Sequence, residues 1–89
     1  MNFYTKTPAE VLDYGFDWSA WLDGDTIVSS EWTVPSGLTA GESNFSLTET
    51  VVWISGGRPS VEYMVANRIW TVGGKTKERF LTIQVKEAL

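Results

Sequence analysis

The sequence predicts an all-β fold: an immunoglobulin-like antiparallel β-sandwich of about seven short strands, with one short helical turn near residues 18–22. Three observations predict it. Stretches in which apolar and polar residues alternate with a period of two recur along the chain. Gly, Pro and Asp turn signals separate those stretches. Helical periodicity is nearly absent. A small closed barrel is the competing arrangement.

The 89 residues suffice for one core, with no room for a second core and a linker. Residues 1–10 read as an extended N-terminal arm in which Pro8 prevents a regular start. Residues 11–86 form the single sandwich domain, and 87–89 a short C-terminal tail. Within the domain, Leu12, Tyr14, Phe16 and Trp18 alternate with Asp13, Gly15 and Asp17, giving an apolar face and an acidic face. Asp17 opens the run Trp18-Ser19-Ala20-Trp21-Leu22. An Asp there accepts from the free amides of a first helical turn, and a turn brings Trp18 near Trp21 and Leu22. Asp23-Gly24-Asp25 is turn chemistry.

Thr26 to Val34 is the next strand, with Val28, Ser30, Trp32 and Val34 on one face and Ile27, Ser29, Glu31 and Thr33 on the other; Pro35-Ser36-Gly37 ends it. Leu38 to Thr50 is polar and broken by Gly41, and holds one or two short strands around Leu38–Ala40 and Asn44–Leu47. The continuous run Val51-Val52-Trp53-Ile54 indicates a strand covered on both faces. After the Gly56–Ser60 loop, Val61 to Val72 is the longest strand. Tyr63, Val65, Asn67 and Ile69 line one face, and Met64, Ala66, Arg68 and Trp70 the other. Gly73-Gly74 starts a hairpin, and Leu81, Ile83 and Val85 alternate with Thr82, Gln84 and Lys86 to complete the last strand. Tyr63 on the penultimate strand and a Trp on a middle strand echo immunoglobulin-like cores, without the cysteine pair of antibody domains.

Composition narrows the chemistry. Cysteine and histidine are both absent, so disulfides, thiolate nucleophiles and the usual general base and zinc ligand are excluded. The remaining acids fall on alternating faces or in turns, where carboxylates are solvated, and no enzyme is expected. Asp23-Gly24-Asp25 lacks the further oxygen ligands of a calcium loop, and the paired glycines lack the context of a phosphate loop; no cofactor or metal is implied. A net charge of −4 argues against a nucleic-acid surface. No apolar run approaches a membrane span, and the first residues carry no apolar signal region, so synthesis and folding in a cytoplasm are expected. Charge is uneven. Eight acids and only Lys6 precede residue 58, whereas six bases and three acids follow. Strands from both halves are expected to interleave and mix the signs; faces of opposite sign suited to head-to-tail contacts are the alternative.

Five tryptophans in so short a chain are the other outlier. Trp32 and Trp53 read as core. Trp18 and Trp21 either plug the open end of the sandwich or anchor a partner. Trp70 lies beside Arg68 on the outer sheet face and is the best single candidate for an interface aromatic, since Trp, Tyr and Arg dominate interface energetics.

The blocks Leu12-Asp13-Tyr14-Gly15-Phe16-Asp17-Trp18-Ser19-Ala20-Trp21-Leu22, Gly24-Asp25-Thr26-Ile27-Val28-Ser29-Ser30 and Trp32-Thr33-Val34-Pro35-Ser36-Gly37-Leu38 resemble the small tailed-bacteriophage fiber–tail adaptor proteins. So do Trp53-Ile54-Ser55-Gly56-Gly57, the Tyr63-x-Val65-x-Asn67-Arg68 stretch and Glu78-Arg79-x-Leu81-Thr82-Ile83-x-Val85; the likeness spans about residues 6–86. The resemblance implies a small immunoglobulin-like component of phage or prophage virions, acting in assembly rather than catalysis, with tail and fiber proteins as partners. It supplies no catalytic residues. Two positions depart from the family pattern: Arg58-Pro59-Ser60 replaces a more Gly- and Thr-rich loop, and Trp70 a small or β-branched residue. They join Trp18, Trp21 and Arg68 as candidate interface residues. Self-assembly in a symmetric ring is a further expectation. Capsid decoration is an alternative role. A carbohydrate-binding module is another, and it requires a coplanar pair of exposed Trp beside polar groups.

Overall fold

A computed structural model describes residues 2–87. Along them run β1 (Phe3–Lys6), β2 (Leu12–Asp17), α1 (Ser19–Leu22), β3 (Ile27–Thr33), β4 (Leu38–Phe45), β5 (Glu49–Gly56), β6 (Glu62–Thr71) and β7 (Thr76–Val85). The strands form two sheets, a four-stranded one in the order β1-β7-β6-β3 and a three-stranded one in the order β2-β5-β4. All pairings are antiparallel except β1 with β7. This is an all-β sandwich, as the strand spacing predicts.

The core is assembled from the inward halves of alternating strands. β2 contributes Tyr14 and Phe16, β5 Val52 and Ile54, β6 Tyr63, Val65 and Ile69, and β7 Leu81, Ile83 and Val85. Each set recurs at a spacing of two, so one face of each strand leaves water while the other stays wet. The chain turns between the long strands at Gly73-Gly74, where Gly74 N–H donates to Thr71 O at 3.0 Å and Thr71 N–H to Lys75 O at 2.9 Å. The positive φ of Gly74, 87°, is one that glycine adopts without steric cost.

Three expectations need correction. The N-terminal arm is not separate from the sandwich: Phe3–Lys6 adds an edge strand to β7, and Lys6, only 2% exposed, donates from Nζ to the carbonyls of Thr7 and Gly56. Burial pushes its pKa down from the ordinary lysine value. The face assignment of β3 fails at its start. The register runs Ile27↔Thr71 and then Ser29↔Trp70, so Val28 is an extra, bulged residue. The bulge reverses the alternation, burying Ile27 and exposing Val28, while Trp32 still turns inward.

The polar stretch before β5, expected as one or two short strands, is a single strand bulged between Ala40 and Ser43. Finally, β5 is covered on one face only. Among the described residues no helix packs on the outer side of its sheet, and Trp53, placed in the core by its apolar neighbours, points outward. Met1 of the expected arm, and Ala88 and Leu89 of the expected tail, lie outside the described residues.

Candidate interaction surfaces

Trp18 follows directly from β2 and closes one end of the sandwich. It is 0% exposed. Its Nε1–H donates to Thr50 Oγ1 at 3.1 Å and to Asn67 Oδ1 at 3.2 Å, and the Thr50 hydroxyl itself donates to Asn67 Oδ1 at 2.7 Å. Asn67 Nδ2 donates to Ser30 Oγ and to the Glu31 carbonyl, both at 3.0 Å. Asn67 is 0% exposed and uses all four of its hydrogen-bonding positions. The network ties β5 of one sheet to β6 and β3 of the other. The Trp18 ring meets Phe16 and Trp21 edge-on, and the Arg79 guanidinium sits 4.3 Å from its centroid. Trp18 is therefore a plug with every polar need met inside; it is not a surface anchor, and that part of the expectation is corrected.

Asp17 stabilises the turn that places this plug. Its Oδ1 accepts from Ser19 N at 3.0 Å and Ser19 Oγ at 2.7 Å. The Ser19 hydroxyl and then its amide hold the Asp17 carboxyl below the ordinary carboxylate value. Trp21 is half-buried, with Lys75 Nζ 5.7 Å from its ring centroid.

The other candidate residues lie apart from this end. Arg58 and Pro59 are exposed in the β5–β6 loop, which is fixed by Arg58 N–H donating to Tyr63 Oη at 2.9 Å. Arg68 and Trp70 point outward from β6, as alternation predicts. Arg68 pairs with Glu78 at 3.3 Å, the one salt bridge among the described residues. Trp70 is half-buried between Ser29 and Thr76. The candidates thus do not converge on one site.

What the structure brings together instead are two uncovered sheet faces of different chemistry. On the four-stranded sheet, Phe3 and Met64 flank Thr82, and Phe80 lies opposite Ala66. Phe3, Met64 and Phe80 are all exposed, so they make an apolar strip. Their outward position was readable from the alternation with Tyr63, Val65 and Leu81, but none was singled out.

On the three-stranded sheet, the outward residues of β2 are Asp13, Gly15 and Asp17, opposite Trp53, Val51 and Glu49 of β5. Gly15 leaves a notch here, part of an open groove of about 520 Å³ that also borders Asn44 and Phe45. A Cβ built at Gly15 would run into the Thr50 carbonyl, so glycine is demanded by the close approach of β5. Trp53 is 41% exposed and is the only tryptophan among the exposed large hydrophobics. The coplanar pair of exposed tryptophans needed for stacking on sugar is therefore not formed.

Charge segregates with the sheets. β2, β4 and β5 carry Asp13, Asp17, Glu42 and Glu49 and no base, whereas β1, β3, β6 and β7 carry both signs. The expected mixing occurs only in the four-stranded sheet, because all three strands of the other come from the acidic first half.

Among the described residues, no group of three or more acids is placed to hold a metal ion. Asp25 belongs to a turn, accepting from Thr26 N at 2.8 Å and Gly73 N at 3.0 Å. A hydrogen bond from the Thr71 hydroxyl leads the contacts that hold its carboxyl below the ordinary value. No curated protein matches the chain significantly. The family model described as podophage GP4 fiber-tail adaptor protein gp77 matches residues 6–84, nearly the whole sandwich with its plug but without Phe3 of the apolar strip, and the chain belongs to that family.

Proposed function

We propose that the protein is a non-enzymatic part of the virion that joins tail and fiber components through protein–protein contacts. The observation that carries this reading is the pair of uncovered sheet faces, one with an apolar strip among charges of both signs and one acidic, on opposite sides of a single rigid core. A joining part needs two distinct contact surfaces, and a sandwich without covering helices offers them. The core holds the two faces in fixed relation through the Asn67 network. Copies are arranged in a ring or on a symmetric platform, where many modest contacts add up. The chain is made in the host cytoplasm and ends in the particle.

Immunogold labelling of purified virions, together with electron microscopy of particles grown without the gene, tests the proposal. The expected result is label at the tail–fiber junction and fiberless particles in the deletion. Label on the capsid would move the protein to a decoration role, and absence from particles would refute any virion role.

A further inference from the structure

We propose that the outer face of the three-stranded sheet is the docking surface for a cationic, Lys- or Arg-bearing surface of another virion protein. The inference rests on the adaptor reading and names the chemistry of one of its partners. The first ground is charge: the three strands hold four carboxylates and no base, and no carboxylate on them lies in a salt bridge among the described residues.

The second ground is register. Asp17 and Glu49 stand directly opposite each other on β2 and β5. Asp17 is held by Ser19 with Arg79 nearby, whereas Glu49 lies in no salt bridge among the described residues. A cation inserted from outside beside Glu49 meets a second carboxylate across the strands. The third ground is shape. Beside that pair, Gly15 has no side chain and its partner Val51 is only half-buried, while Asp13 lies beyond, opposite the exposed Trp53. A Lys or Arg stem fits over Gly15 and Val51 with its charged head among the carboxylates, and Trp53 offers a ring to a second cation. The opposite sheet lacks this chemistry, since its outward charges include Arg68 paired with Glu78.

The test is incorporation into particles. Phage lacking the gene are complemented with Asp13→Lys/Glu49→Lys or with the control Asp23→Lys/Glu87→Lys, which changes net charge equally at exposed positions outside both sheets. Copies per purified particle are counted by quantitative mass spectrometry, and melting of each isolated protein is followed by circular dichroism. We expect the first variant to lose incorporation at least tenfold while melting no lower than wild type, because Glu49→Lys places opposite charges across Asp17. The control should change less than twofold.

Should the double reversal fail to fold, Asp13→Asn/Glu49→Gln carries the same expectation of reduced incorporation. Wild-type incorporation of a folded face variant, or equal loss in face variant and control, overturns this inference and leaves the adaptor reading standing. Absence of the wild-type chain from particles overturns both. Sedimentation showing that the isolated chain dimerises through this face, with dimers lost in Asp13→Lys/Glu49→Lys, would assign it to a second copy and also overturn the proposal.

Discussion

Replacing Asn67 by Leu keeps approximate volume and removes the centre of the network between the sheets. Trp18 Nε1 retains Thr50 Oγ1 as acceptor, but the Thr50 hydroxyl loses its acceptor and the Glu31 carbonyl loses the amide that donates to it. A buried group left unpaired costs roughly 1–3 kcal/mol, so the enclosed Thr50 hydroxyl and the part-buried Glu31 carbonyl together amount to about 3 kcal/mol. For a domain of this size that is a fall in Tm of roughly 12–24 °C. Total stabilities of about 5–15 kcal/mol leave the variant folded at room temperature.

Urea unfolding followed by tryptophan fluorescence, alongside thermal melts, gives the number. Thr50→Val serves as the graded comparison. It removes one hydroxyl while Trp18 Nε1 keeps Asn67 Oδ1, so it should cost about 1 kcal/mol. An Asn67→Leu variant within about 0.5 kcal/mol of wild type, or less damaged than Thr50→Val, would refute the reasoning: the asparagine would then be replaceable by apolar packing.

Trp18→Ala should cost about 3–5 kcal/mol, as for other buried large aromatics, and Trp53→Ala under about 1 kcal/mol, both read from the same urea curves. Gly15→Ala should destabilise by about 1–3 kcal/mol through overpacking against the Thr50 carbonyl, seen as a lower urea midpoint. Asp17 and Asp25 have folded pKa values below the ordinary 3.8. Their stabilisation is therefore fully present above 3.8 and lost as pH falls through the lower folded values. Melting temperatures recorded between pH 5 and 2 should fall on the acid side, and Asp25→Asn should show a shallower fall.

Strand positions were legible because burial on one face writes itself into alternation. The β6 faces, the Gly73-Gly74 hairpin and the helical turn at Trp18 all follow from that pattern and from local turn chemistry. Bulges were not legible. Nothing in Ile27-Val28-Ser29 marks the extra residue, yet it exchanges which of Ile27 and Val28 is buried. Trp53 misleads for a related reason: an apolar run looks doubly covered, and whether anything covers the outer face depends on the rest of the fold. The arm was unreadable because parallel pairing to β7 is decided by residues some eighty positions away. For the interface, the sequence pointed to tryptophans and to Arg58, Pro59 and Arg68, of which the last three are exposed. Phe3, Met64 and Phe80, and the acids around Gly15, come together as surfaces only when strands become neighbours.

The uneven charge along the chain becomes uneven charge in space because of where the chain changes sheets. All bases but Lys6 come after residue 57, beyond the last strand of the three-stranded sheet, which ends at Gly56. From there the chain crosses once and builds β6 and β7 in the other sheet. No later strand joins that sheet, and among the acids of its strands only Asp17 has a base close by, Arg79 reaching over from β7. Packed sheets stand about 10 Å apart, close to the screening length of about 8 Å at physiological ionic strength. A cation docked on one outer face is therefore largely screened from the other. Two partners can then bind opposite faces with little electrostatic interference, as the proposed joining role requires.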